Sequence, residues 1–112
     1  MDRFSRKMMK NSVSWHDLLM KDLRNDPRAA IGYLNAALDE REPEIFLLAL
    51  KHVAEAWGGM SKLARAAKLH RVNLHRMLSK NGNPEMVSLR RLLDALDLQL
   101  QVTFKKPLKK AA

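Results

Sequence analysis

Apolar positions along the chain recur mostly at three- and four-residue intervals, which predicts a succession of short helices. Trp15, Leu18, Leu19 and Leu23 make the first stripe. Ser14, with Asp17 three residues on, opens it as a variant of the capping box, and Arg24-Asn25 closes it. A second helix starts at Asp26-Pro27, with Asp26 as N-cap and Pro27 at the first helical position, where a missing N–H is no loss. Its expected inward face is Ala30, Ile31, Leu34 and Leu38, flanked by Tyr33 and Ala37. The chain turns around Arg41, and Pro43 opens a third helix in which Phe46, Leu50, Val53 and Trp57 recur, with Leu47 and Ala54 beside them. This is the longest apolar stripe in the chain and predicts the central core helix. Gly58-Gly59 stops it, since glycine takes the left-handed conformation that closes a helix at little cost.

Two short amphipathic segments follow and meet at a tight turn. Leu63, Ala64 and Ala67 share one face of the first, and Leu74, Met77 and Leu78 share one face of the second. Ala64 supplies the small side chain that two closely crossing helices require. The pattern over residues 59–80 is that of a helix-turn-helix, closed by the stop-and-turn signal Asn81-Gly82-Asn83-Pro84. A sixth helix then starts between Met86 and Ser88. Leu89, Leu92, Leu93 and Leu96 form its buried face, and Arg90 and Arg91 lie on its exposed side. From Leu98 to Phe104 the period changes to two, with Leu98, Leu100, Val102 and Phe104 alternating with Gln99, Gln101 and Thr103, which predicts a strand. A lone strand cannot satisfy its own backbone groups, so pairing across a homodimer, or with another protein, is expected through Leu98, Leu100, Val102 and Phe104, the alternative being an extended tail packed on the core.

Charge sharpens this picture. The 112 residues carry a net charge of +9, and between Ala56 and Pro84 there is no acidic residue at all. Lys62, Arg65, Lys68, Arg71, Arg76 and Lys80 are all basic there, with His70 and His75 among them. A solvated helix face ordinarily mixes both signs, so this run on this pattern points to a polyanion, and double-stranded DNA is the expected partner. In such motifs the early residues of the second helix enter the major groove. Arg71 and Arg76 suit guanine, Asn73 suits adenine and Val72 suits a thymine methyl, while His70, His75 and Ser79 share the exposed face. Lys62, Arg65 and Lys68 are placed for phosphates, which position a protein without reading sequence. Lys68 stands where glycine is usual at the turn, and His70 where serine or threonine is usual at the cap.

The remaining composition excludes more than it adds. One domain of this size can bury a single core, expected over residues 14–104 between a flexible basic arm (1–13) and a basic tail (105–112). No apolar run reaches the ~18 residues of a membrane span, and the first residues lack a signal peptide's apolar centre, so no membrane partner and a cytoplasmic location are expected. With no cysteine there is no disulfide framework or thiolate site. His16, His52, His70 and His75 show no metal spacing, and Asp39, Glu40, Glu42 and Glu44 cluster at a helix boundary, where capping accounts for them. No glycine-rich phosphate loop is present. No enzyme, metal or cofactor is therefore expected.

Several blocks together resemble one family. They are Asp26-Pro27-Arg28-Ala29-Ala30, Tyr33 through Leu38, Pro43 through Leu50, Val53 through Ala56, Gly58 through Ala64, and Gly82-Asn83-Pro84. In combination they resemble the addiction-module antidote (HigA-like antitoxin) family, over about Leu18 to Val102. The resemblance implies a repressor-like DNA-binding fold, a small toxin of the RelE/HigB type as partner, and repression of the protein's own operon. It maps the DNA-reading helix onto His70 to Lys80, and Asp97 departs from it where the family often has glycine. The expected fold is thus all-α, five to six helices with a repressor-like helix-turn-helix core and one short C-terminal β-strand. The expected function is that of an antitoxin that represses transcription. A stand-alone regulator, phage-borne or otherwise, and a nonspecific architectural nucleic-acid-binding protein are the alternatives.

Overall fold

The computed structural model describes residues 14–105, so the arm expected over 1–13 and the tail beyond Lys105 lie outside the described residues. Among the described residues six helices follow one another: α1 (Trp15–Asn25), α2 (Pro27–Asp39), α3 (Pro43–Trp57), α4 (Met60–Ala67), α5 (Arg71–Met77) and α6 (Met86–Ala95). Local chemistry sets most of the boundaries. Asp17 donates its N–H to the Ser14 hydroxyl in a long 3.4 Å bond, and the Asp26 carboxylate accepts from the Arg28 N–H at 3.0 Å, with Pro27 at the first turn. Both caps satisfy donors that a helix start leaves without partners.

Three helices end in the same way. The N–H five residues beyond a carbonyl turns back onto it: Gly59 to Ala54 at 2.9 Å, Leu69 to Ala64 at 2.9 Å, and Leu98 to Leu93 at 2.7 Å. Each closure needs a residue of positive φ just before the donor. Gly58 (φ 144), Lys68 (φ 57) and Asp97 (φ 62) occupy those positions. Leu69 and Leu98 then pack against the core, so each closure carries its own hydrophobic contact.

α1, α2 and α3 pack on one another, α4 packs on both α5 and α6, and the α3–α4 contact joins these two groups. The most deeply buried large side chains are Leu50, Leu63, Leu74 and Leu92, one from each of α3, α4, α5 and α6. The expected face of α2 is rotated by about one residue. Leu34 and Ala37 are buried and Ala30 and Tyr33 half-buried, while Ile31 and Leu38 are 49% and 53% exposed. In this rotation Leu34 and Ala37 pack inward and the Tyr33 hydroxyl lies 2.7 Å from His52 Nδ1 on α3, which leaves the Ile31–Leu38 edge outward. Trp15, also expected inside, is 43% exposed and sets its ring edge against His52.

The expected strand is corrected. Residues 98–104 contain no strand, and none occurs among the described residues. A β-strand exists only with a ladder partner, and the helices beside this segment offer no sheet edge. Only Leu98 packs on the core, while Leu100 is 44% exposed, Val102 96% and Phe104 68%.

Burial raises the Tyr33 phenol's pKa and lowers that of the neighbouring His52 imidazole. For His52 the attraction of Glu55 opposes the burial, and the charges of His16 and Lys51 add to it. The unfolded chain therefore takes up a proton at His52 more readily than the folded one, and stability rises with pH across that interval. Lowering the pH below about 6.5, the ordinary histidine value, is expected to reduce the urea midpoint. The drop should be smaller in His52→Asn, measured by unfolding at pH 7.5 and 5.5.

Candidate nucleic-acid interface

α4 is amphipathic. Met60, Leu63, Ala64 and Ala67 are buried, and Ser61, Lys62, Arg65 and Ala66 are exposed. Only Lys68, Leu69 and His70 separate it from α5, so the left-handed Lys68 redirects the chain within three residues. His70 is the cap residue of α5 and makes no side-chain cap bond. α5 has seven residues, too few to be stable alone. Its anchors are Leu74, fully buried, and Leu78 just beyond its end, each worth about 1.5–3 kcal/mol of apolar burial.

With Leu74 and Leu78 inward, the rest of α5 turns to solvent. Lys62, Arg65, Lys68, His70, Arg71, Val72, Asn73, His75, Arg76 and Ser79 are all exposed, and Val72 is 69% exposed despite being apolar. None of Lys62, Arg65, Lys68, Arg71, Arg76 and Lys80 forms an ion pair among the described residues, where the pairs found join His16 to Asp17 and Glu55. Two of these residues hold each other: the Arg76 guanidinium donates to Asn73 Oδ1 at 2.6 Å. Ser79 turns back instead, its hydroxyl donating to the Arg76 carbonyl at 2.7 Å. Lys62 is set apart from the others, with its ammonium 4.7 Å from the centre of the Trp57 ring.

The loop after α5 comes back close against it. The Gly82 N–H donates to the Ser79 carbonyl at 2.9 Å, and a Cβ at Gly82 would lie 2.1 Å from the Met77 carbonyl oxygen. Only glycine fits that approach. On the far side, packing of α6 on α4 brings Arg91 to the same groove as Lys68, with Asp94 beside them. With Leu89, Leu92, Leu93 and Leu96 as the expected buried face of α6, Arg91 falls on its exposed side, as found. Its place beside Lys68 depends on a helix contact that periodicity does not encode. Among the described residues no group of three His, Asp or Glu side chains could hold a metal, and no helix is long and apolar enough to cross a membrane.

A family model described as "Probable addiction module antidote protein" matches residues 16–104. The chain belongs to this family. Membership suggests an antitoxin role and implies a cognate toxin as partner, and antidotes of such modules are generally non-enzymatic. A protein of Haemophilus influenzae described as uncharacterized is 41% identical over 70 residues, covering 62% of this chain and 71% of its own length. No solved structure matches the chain. In this antidote the two non-glycine helix closures, Lys68 and Asp97, both stand at positive φ.

Lys68→Gly is expected to raise stability by up to about 1 kcal/mol, because glycine meets no Cβ penalty at that φ. Asp97→Gly should gain less, since aspartate tolerates the left-handed region better than lysine. Denaturant titration of both variants against the parent checks the order.

Proposed function

We propose that this antidote is a sequence-specific DNA-binding repressor, an antitoxin of the HigA-like kind that neutralises a RelE/HigB-type toxin in the cytoplasm and represses its own operon. The observation that carries the DNA reading is the exposed, unpaired cationic face of α4 and α5, held to the core by Leu63, Leu74 and Leu78. Uncompensated like charges repel one another, and a polyanion that releases its counterions offsets that cost. In this reading the pair is a helix-turn-helix, and α5 lies in the major groove. Arg71 and Arg76 read guanine, Val72 touches a thymine methyl, and His70 and His75 face the groove walls. Asn73, bound to Arg76, either reads adenine or sets the guanidinium. Arg65 and Lys68 hold phosphates, joined by Lys62 when it swings from Trp57.

The division of labour has a direct test. Arg76→Ala should weaken operator binding by ~1–3 kcal/mol and relax specificity at one base pair, whereas Arg65→Ala should weaken operator and scrambled duplexes about equally. Titrations of the chain's own promoter and a scrambled duplex at fixed salt distinguish the two effects. Equal losses on both duplexes for Arg76→Ala would remove it from the base-reading set. A parent chain with no preference for its promoter would leave an architectural protein.

Operator binding of this type needs two helices about one DNA turn apart, ~34–36 Å, and hence a two-fold dimer. The segment from Gln99 to Phe104 is the proposed contact. Its alternating apolar side chains are exposed in the single chain, and antiparallel pairing with a copy would bury Leu100, Val102 and Phe104 while satisfying both backbones, with Leu98 at its root. Truncation after Leu98 leaves the closure of α6 intact and is expected to give a folded monomer with much weaker operator affinity. Sedimentation and DNA titration of the truncated chain measure both properties, and a dimer that binds normally would assign the segment elsewhere.

A further inference from the structure

The geometry points to the outward edge of α2, with the acidic turn that follows it, as the docking face for the cognate toxin, and it assigns that toxin a basic rim around an apolar centre. The inference rests on the antitoxin reading for its partner and on this chain alone for its place. Ile31 and Leu38, seven residues apart on α2, are both about half exposed. They border a groove lined further by Leu34, Phe46 and Leu93. Its other wall is Leu98 to Gln101, the first part of the segment proposed above for the homodimer, so the sedimentation readout below is what separates the two occupants. An exposed apolar edge beside a partly open groove is the usual centre of a protein interface.

Charge selects the occupant. Asp39, Glu40, Glu42 and Glu44 follow Leu38 directly, with Arg41 as the one base among them, in a chain that is otherwise strongly basic. Asp39, Glu40 and Glu42 are exposed, and Asp97 lines the same groove from the other side. An acid rim repels DNA. It also disfavours a second copy, because a two-fold contact sets a patch against itself and would bring these carboxylates together. A partner with cations around an apolar knob meets neither objection. The fifteen residues of α3 separate this turn from α4 by about 22 Å of helix, so a toxin here leaves the cationic face free.

The probe is the protein encoded by the reading frame adjoining this chain's gene, co-expressed with the full-length chain. Two double variants test the two halves of the face: Ile31→Ser with Leu38→Ser for the apolar centre, and Asp39→Lys with Glu40→Lys for the rim. All four side chains are exposed, so the fold should survive, as circular dichroism would verify. Each pair is expected to weaken capture of the probe at least ~10-fold while promoter binding and sedimentation stay at parent values. Capture unchanged in both variants would overturn the docking face and leave the antitoxin reading standing. Variants that became monomeric with capture intact would assign the edge to the homodimer instead. Failure of the parent chain to bind the probe would remove the toxin reading and this face with it.

Discussion

Burial of Leu74 and Leu78 is the contact on which the exposed face of the molecule depends. α5 is a seven-residue helix with no side-chain cap at its start, so nothing in its own backbone holds it helical. What holds it is the insertion of these two side chains against α4, where Leu63 and Ala64 are nearly as inaccessible. The small Ala64 lets neighbouring helices come close. Once Leu74 points inward, helical geometry alone sends Val72, Asn73, His75 and Arg76 to solvent. The chemistry of that face is therefore a by-product of a core contact, and its rigidity is borrowed from the leucine layer shared by α3, α4, α5 and α6.

Helix closure serves this arrangement at some cost. Three helices end in a five-residue back-bond, and only one of the three uses glycine. At Lys68 the left-handed backbone carries a cation into the turn between α4 and α5, which glycine could not do. At Asp97 the same geometry turns the chain so that Leu98 packs on the core and Gln99 to Gln101 run along the groove beside α2. Strain of this kind persists where the surroundings over-determine it, and here the back-bonds and the burial of Leu69 and Leu98 do so.

Charge of opposite sign gathers in two separate regions of the chain. Cations without ion pairs gather on α4 and α5, and acids gather at the turn into α3, at opposite ends of that central helix. Such a separation suits each surface to a different class of partner. In the readings proposed above the cationic face engages DNA and the acidic turn a toxin, and opposite signs would then keep the two encounters from competing.

Much of this protein was determined by the sequence alone. Ser14, Asp26-Pro27, Pro43 and Gly58-Gly59 placed helix boundaries because caps, proline and glycine act within a few residues. The buried faces of α3, α4, α5 and α6 followed from periodicity, and the family followed from blocks quoted across the chain. Tertiary structure decided what periodicity cannot carry. The apolar positions on α2 fit two rotations of the helix, and packing on α3, with Leu34 and Ala37 buried and Tyr33 bonded to His52 19 residues away, holds the one that exposes Ile31 and Leu38. Packing of α6 on α4 brought Arg91 beside Lys68, and the Trp57 ring drew Lys62 aside. The alternation from Leu98 to Phe104 shows why pattern and structure differ there: alternation prepares a segment to be a strand, but only a second strand makes it one.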